Sequence, residues 1–430
     1  MKVLTSNGSM LQTDGVVAGR LQLGAEDKPE IVQRFASTIK FPTVSAPEDF
    51  SLEPFHMMRE YSKTVWPQVF SSLEMELHGG ASILLRWEGR QNLEPVMLTA
   101  HQDVVPAGRL EKWAHDPFGG EVSHNRIWGR GTVDYKCGYS GMLEAVSLLL
   151  SQGYKPERTV FLAFGHDEEV GGLAGAKTVT DSLIARGIVC SSVLDEGGYI
   201  YTDSDGGFTA ELAVAEKGYA SFKLTAVAVQ GHSSVPPKRT AIGALAAALV
   251  ALKNSSFPGA QIPGGISSTR WLATTIAPTM ISGGYKENIL PESAEATLNT
   301  RPSPGSSVSE VFDHIAEFVK PFDISVELLD NASVSEPSAV SSVNTRDMTA
   351  LREAIQKVLP KATRFRTGVF PAATDSRRYS KVARNTYRFM PVHLGNRGIG
   401  VLHSVDESIS VSDYLRCVEF YAEYVARVSS

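Results

Sequence analysis

Arg158-Thr159-Val160-Phe161-Leu162-Ala163-Phe164-Gly165-His166-Asp167-Glu168-Glu169 is the stretch that decides the fold. Its apolar run carries no helical stripe, so it reads as a strand buried on both faces, and it stops at a glycine followed by four titratable side chains. Two other apolar runs end in the same way. Pro95 to Ala100 delivers His101-Gln102-Asp103, and Ile188 to Leu194 delivers Asp195-Glu196-Gly197-Gly198. Helical patterns lie between them: Met142, Ala145, Val146, Leu149 and Leu150 form a stripe that Gly153 stops, and a second helix is predicted from Gly172 to Arg186. Strand, helix, strand is the order of a parallel α/β sheet, in which ligands bind beyond the carboxyl ends of the strands. The three polar strand ends are therefore expected to converge.

Upstream, residues 1 to about 26 are polar and aperiodic and read as an extension. Pro29 opens a helix with Ile31, Val32, Phe35 and Ile39 on one face, and Pro42 ends it. Phe55, Met58, Tyr61, Val65 and Val69 mark a second helix, and Ser82 to Trp87 a strand. Downstream, the pattern changes at a polar, glycine-containing linker around Asp203 to Phe208. The order there is strand (Leu212 to Val229, bent or paired), helix (Ile242 to Leu252), strand (Leu272 to Met280), strand (Ala294 to Thr300), helix (Val308 to Phe318), strand (Ile324 to Leu329). This βαββαβ order describes a small, ferredoxin-like α+β domain, residues 206–329, inserted into a larger α/β domain made of residues 1–205 and 330–430. The larger domain resumes with a helix from Met348 to Val358, a loop from Gly368 to Arg378 and a strand from Thr386 to Met390. A final helix carries Val411, Leu415, Val418, Tyr421, Tyr424 and Val425, with Ser410 and Asp413 at capping-box spacing at its start.

Composition excludes several functions. A chain of 430 residues, 43% hydrophobic and 20% charged, with net charge −6, buries a sizeable core and has no basic stripe for nucleic acid. No run approaches the roughly 18 apolar residues of a membrane span, and no signal peptide is legible, so no membrane partner and a cytoplasmic location are expected. Cys137, Cys190 and Cys417 are too few and scattered for a disulfide framework. Sequons at Asn7, Asn254 and Asn331 are read as chance. Gly171 to Thr178 resembles a phosphate loop, but Ala176 stands where the motif requires glycine, and no Gly-x-Ser-x-Gly elbow is present. Cys137 reads as a small buried filler.

The chemistry lies in the polar strand ends. Glu168 and Glu169 are adjacent carboxylates, which raise one another's pKa unless a cation stands between them. Hard ligands available to such a cation are His101, Asp134, Glu169, one acid of the Asp195-Glu196 pair, and His403. Mixed imidazole and carboxylate donors without thiolate suit zinc, with manganese or cobalt as alternatives. Five donors exceed the needs of one zinc and suit two metals sharing a carboxylate, roughly 3.5 to 4 Å apart. The remaining glutamate is then free to act as a base.

Together, Ala100-His101-Gln102-Asp103-Val104-Val105-Pro106, Gly129 to Lys136, Asp167-Glu168-Glu169-Val170-Gly171-Gly172, Asp195-Glu196-Gly197, Gly231-His232-Ser233, Asn288-Ile289-Leu290-Pro291 and His403 resemble the M20 family of metallopeptidases and aminoacylases. Thr374 to Tyr379, Tyr387 to Val392 and His403 to Glu407 are most similar to its carboxypeptidase S and N-acyl-amino-acid hydrolase branch. The resemblance implies two zinc ions bridged by Asp134, with His101 on one, His403 and Glu169 on the other, and Glu196 (Asp195 the alternative) beside His101. It makes Glu168 the general base and Asp103 the carboxylate that holds the His101 tautomer. His232, on the inserted lid or dimerisation domain, would stabilise the oxyanion, often from the partner subunit of a homodimer. Asn288, Arg301 and Arg377 would hold a substrate carboxylate. The expected activity is hydrolysis of the amide in a dipeptide or N-acyl amino acid with a free carboxylate. The alternative is a catalytically silent binding or regulatory protein on the same fold, against which every metal and base position holds a competent residue.

Overall fold

The computed structural model describes residues 23–46, 50–253, 255, 257, 266–268, 271–329, 334–360 and 363–430. Most of the expected N-terminal extension and all three sequon asparagines lie outside them. The first helix runs Lys28–Ile39 and buries Ile31, Val32, Phe35 and Ile39. The second predicted stripe is two helices, Glu53–Val65 and Pro67–Ser72, because Pro67 has no N–H to continue the first.

A nine-stranded sheet organises the chain. Its order is Glu74–His78, Ser82–Trp87, Val160–Gly165, Val96–His101, Ser192–Asp195, Thr386–Arg388, Phe208–Glu216 and Arg364–Phe370, with Ile200–Thr202 paired to Phe208–Glu216. The four central strands, Val160–Gly165 to Thr386–Arg388, run parallel. His101 therefore lies opposite Gly165, and Asp195 opposite Arg388, at one edge of the sheet. Alternation of side chains divides the core between the two faces. Val96, Leu98, Val160, Leu162 and Phe164 pack in one cluster with helices Lys28–Ile39, Lys136–Ser151, Arg346–Val358 and Val411–Val428. Met97, Phe161, Ala163 and Val193 pack in another with Ala176–Ala185.

The smaller sheet has the order Thr275–Gly283, Ser293–Arg301, Ala220–Val227, Ile324–Leu329, antiparallel throughout, which is the strand order of a ferredoxin-like βαββαβ unit. Helices Ala241–Lys253 and Val308–Val319 cover one face, where Leu245, Ala248, Val311 and Ile315 meet Phe222, Leu224 and Leu298. Ser307 and Glu310 form a full capping box on the second of these helices.

Two expectations need correction. The run Leu212 to Val229 is two strands in different sheets: Phe208–Glu216 pairs with Arg364–Phe370 in the large one and Ala220–Val227 lies in the small one. A division at residues 205 and 206 would thus cut a strand pair of the large sheet, and the chain crosses between sheets at Lys217 to Tyr219. Gly218 supplies the break; a Cβ there would lie 2.6 Å from Ser335 O. The predicted loop Gly368 to Arg378 begins as a strand whose Arg, Phe and Thr alternation hid a parallel edge pairing. Short strands Glu121–Ser123, Arg126–Trp128 and Ser408–Ser410 form a further sheet that three-residue runs do not announce. Among the described residues no helix is long and apolar enough to cross a membrane.

Candidate metal centre

The parallel strand ends bring the sequence-predicted donors together. His101 ends its strand, buried, with Nε2 3.0 Å from Asp134 Oδ1 and 3.4 Å from Glu196 Oε1. On the other side, His403 Nε2 stands 3.1 Å from Asp134 Oδ2 and 3.3 Å from Glu169 Oε2. The two carboxylate oxygens of Asp134 thus face two separate sets, His101 with Glu196 and His403 with Glu169, each close enough to hold one ion. Asp134 lies in the turn before helix Lys136–Ser151, and the Asp134–Tyr135 peptide is cis. His403 sits at φ +59 on a loop, half-exposed.

Between Asp195 and Glu196 the geometry discriminates. Adjacent residues at a strand end point to opposite sides. Asp195 turns inward, where Oδ1 accepts from the Glu196 N–H (2.8 Å) and Oδ2 from the Ser376 N–H (2.8 Å). Glu196 turns to His101. Asp103 is fully buried: His101 Nδ1 donates to its main-chain carbonyl at 2.9 Å and stands 3.4 Å from its carboxylate. The carboxylate also accepts from Ser45 Oγ (2.6 Å) and from the N–H groups of Glu168 (3.2 Å) and Glu169 (3.1 Å). It therefore locks the acidic turn against the histidine strand.

The charge balance calls for a cation. Burial, and then Asp134, push the Glu196 carboxyl up to about 8 against the pull of His101. Burial also raises Glu169, with Asp134 adding to it, and raises Glu168 well above its ordinary range, opposed by His101 and reinforced by Asp375, Glu196 and Glu169. Hydrogen bonds to Asp134 and Glu169 raise His403 to about 10. Asp134, hydrogen-bonded to both histidines against the penalty of burial, is held low. Carboxylates thus outnumber the charge two imidazoliums can offset, and Glu169 Oε1 is buried without a hydrogen-bond partner. Oxygen and imidazole donors arranged in two sets about one shared carboxylate fit a pair of divalent ions.

Two residues that no site assignment included complete the scaffold. Glu407, 1% exposed, accepts from the N–H groups of Val133 (2.8 Å) and Asp134 (3.2 Å) and from Arg130 Nη1 (2.7 Å). Arg130 in turn donates to the main-chain oxygens of His403 and Ser404, each at 3.2 Å. The pair ties the Asp134 turn to the His403 loop. The signal was present as two oppositely charged residues inside two quoted motifs.

The remaining candidates make no hydrogen bond or ion pair to these donors among the described residues. His232 and Asn288 are neighbours on the ribbon formed by Gly231–His232 and Ile289–Leu290, where the Ser233 N–H donates to Asn288 O. Among the described residues no hydrogen bond or ion pair links them to the centre. Arg301 ends a small-sheet strand with its guanidinium 4.7 Å from the Tyr219 ring centroid. Burial, and Arg377 beside it, lower its pKa. Arg377 is half-buried, and its Nε has no hydrogen-bond partner.

Comparison with known proteins gives the same answer as the geometry. Residues 97–427 match the description of peptidase family M20/M25/M40. A probable carboxypeptidase S-like 2 of Dictyostelium discoideum is 32% identical, over 91% of this chain and 84% of its own. An N-fatty-acyl-amino acid synthase/hydrolase PM20D1 of Xenopus tropicalis is also 32% identical, over 94% of this chain and 87% of its own. Among solved structures, the M20 family metallo-carboxypeptidase Sso-CP2 of Sulfolobus solfataricus superposes with a TM-score of 0.73 at 17% identity, over 93% of this chain and 99% of that one. The YXEP protein of Bacillus subtilis, a dinuclear metal binding peptidase from the M20 family, does so at 0.63 and 14% identity, over 94% and 99%. The chain belongs to peptidase family M20/M25/M40 and is a metal-dependent hydrolase of amide bonds.

Proposed function

We propose that the protein is a di-zinc hydrolase that cleaves the amide bond of dipeptides or N-acyl amino acids bearing a free carboxylate. The observation that carries this reading is Asp134, one oxygen 3.0 Å from His101 and the other 3.1 Å from His403. His101, Asp134 and Glu196 would hold one ion, and Asp134, Glu169 and His403 the other. Zinc suits these donors, and manganese or cobalt would be accepted by the same set. When bound, the pair supplies Lewis-acid polarisation of the scissile carbonyl and a lowered pKa for water.

The protein's own groups do the rest. Glu168 takes a proton from the attacking water and returns it to the leaving amine as the C–N bond breaks. His232 Nδ1 accepts from the Ser234 N–H at 3.2 Å, so the neutral ring carries its proton on Nε2, where it can be donated to the oxyanion. Arg301, with Arg377 and Asn288, would receive the substrate carboxylate as a fixed charge and a hydrogen-bond donor. The relatives' names, a probable carboxypeptidase S-like 2 and an N-fatty-acyl-amino acid synthase/hydrolase, support a free carboxylate on the amine side of the bond. The small sheet and its two helices act as a lid and pairing domain, and two copies join through it.

The test is release of free amino acid from a panel of dipeptides and N-acyl amino acids by chelator-stripped protein, before and after zinc is added. Turnover is expected only with zinc. Glu168→Gln should bind the metal and lose about 10² to 10⁴-fold in kcat. Equal turnover by the stripped protein, or full activity in Glu168→Gln, would overturn the reading.

A further inference from the structure

The chain passes between its two sheets twice, and the two passages form one short ribbon. Tyr219 and Ser335 exchange both main-chain hydrogen bonds at 2.9 Å, and the Ser338 N–H donates to Glu216 O at 3.0 Å. Glu216 is the last residue of the large-sheet strand before this crossing and is 1% exposed. Its side chain does not face the crossing. Glu216 Oε2 accepts from Thr374 N (3.0 Å), Thr374 Oγ1 (3.0 Å), Ser376 Oγ (3.4 Å) and Arg388 Nε (3.1 Å). Arg388 is wholly buried, so this carboxylate is its counter-charge. Ser376 then donates its N–H to Asp195 Oδ2, and Asp195 Oδ1 takes the N–H of Glu196.

A continuous buried chain of charge-assisted bonds therefore runs from the residue that opens the crossing to the main-chain N–H of Glu196, whose side chain faces His101. Six residues take part: Glu216, Thr374, Ser376, Arg388, Asp195 and Glu196. Each is 6% exposed or less, so none of these bonds competes with bulk water. A main-chain shift at Glu216 moves the acceptor that orders the Thr374 to Ser376 turn, and that turn sets one of the two bonds of Asp195.

We infer that Glu216 is a positioning residue that couples the crossing between the two sheets to Glu196 through Ser376 and Asp195, so that metal occupancy and order at the crossing depend on one another. The inference rests on the reading that Glu196 holds a metal ion. Linkage makes the effect reciprocal: whatever binding at Glu196 gains from an ordered Glu216, the crossing gains from a bound ion. Glu216→Ala breaks the chain but leaves Arg388 buried without its counter-charge, so Glu216→Met with Arg388→Leu is made beside it to break the chain with no charge left unpaired.

The experiment is hydrogen exchange of the Tyr219 and Ser335 amides with and without zinc, together with zinc titration against a chromophoric chelator. In the wild type, zinc is expected to slow exchange at both amides about tenfold. In Glu216→Ala and the double variant the slowing should vanish, and one of the two zinc sites should weaken about tenfold while the other is unchanged. A residue that only stabilised the fold would change exchange equally with and without zinc. Two zinc ions bound with no change at Tyr219 and Ser335 in the wild type would overturn the coupling and leave the metal centre standing. Slowing that persists in the double variant would do the same. A wild type that binds no zinc would overturn the metal centre itself.

Discussion

Two neighbouring acids, Asp195 and Glu196, face different partners, and the division follows from strand geometry. Glu196 faces His101, whereas Asp195 is saturated by two main-chain N–H groups. Glu196→Gln is therefore expected to lower zinc stoichiometry from two to one, while Asp195→Asn keeps two at saturating zinc; elemental analysis after dialysis distinguishes these outcomes, and the reverse result would exchange the roles. Sequence alone kept Asp195 as the alternative to Glu196, because which side a terminal strand residue faces depends on register. Lys217 was invisible at that stage, since one lysine after a strand carries no signal. It is 2% exposed, and burial, with Arg301 nearby, lowers its pKa to about 8. The unfolded chain, with Lys near 10.5, binds more protons between about pH 8 and 10.5, so this group's contribution to stability rises with pH across that window and is lowest below it. Lys217→Met removes the dependence. Urea unfolding should then show the variant's stability relative to wild type falling by up to about 3 kcal/mol from pH 8 to 10.5. A difference independent of pH would mean that Lys217 is not held with a depressed pKa.

At the scale of elements, the apolar runs that end in His101, Gly165 and Asp195 were legible because burial on both faces leaves an unbroken apolar string. The edge strands Glu74–His78 and Arg364–Phe370 were not, because half of each faces solvent and its charged residues read as loop. A different limit explains the Arg130–Glu407 pair. Its members stand 277 positions apart, and only the three-dimensional approach of the Gly129 turn to the His403 loop makes them one clamp. Each is at most 2% exposed. Removing the carboxylate strands a buried guanidinium, at a cost of about 3 to 5 kcal/mol. Glu407→Ala is thus expected to unfold at lower urea. It should also bind zinc about 10 to 100-fold more weakly, because the Val133 and Asp134 N–H groups lose their acceptor and the His403 loop loses its tether. Glu407→Ala that melts earlier yet titrates with wild-type zinc affinity would reduce the clamp to a stabilising role.

On the scale of the whole molecule, the small sheet has two edge strands, Ile324–Leu329 and Thr275–Gly283. On the second, Met280 and Ile281 are 68% and 69% exposed. Val229, Val235 and Tyr285, on the segments beside it, are more than 70% exposed. Edge strands are commonly blunted by charge, proline or a bulge; this one has Pro278 and a bulge between Pro278 and Met280, and beyond them its outer half carries the apolar Met280 and Ile281. A second copy brought to the same edge by a two-fold axis would pair the strands and continue the sheet, the isologous contact expected of a homodimer. Sedimentation at micromolar concentration should therefore give a species of twice the 46.5 kDa chain mass. Ile281→Lys should return it to the chain mass, since a charge placed in the pair would lose its water. The consequence for catalysis depends on His232, which lies on the exposed ribbon of the same domain and has no bond to the metal centre of its own chain among the described residues. If His232 of the partner subunit completes the site, the monomeric variant will bind two zinc ions and lose about 10² to 10³-fold in kcat. Full activity in a monomer would place His232 in its own chain's site, reached by closure at Lys217 to Tyr219. A variant that remains dimeric would move the pairing surface away from this edge.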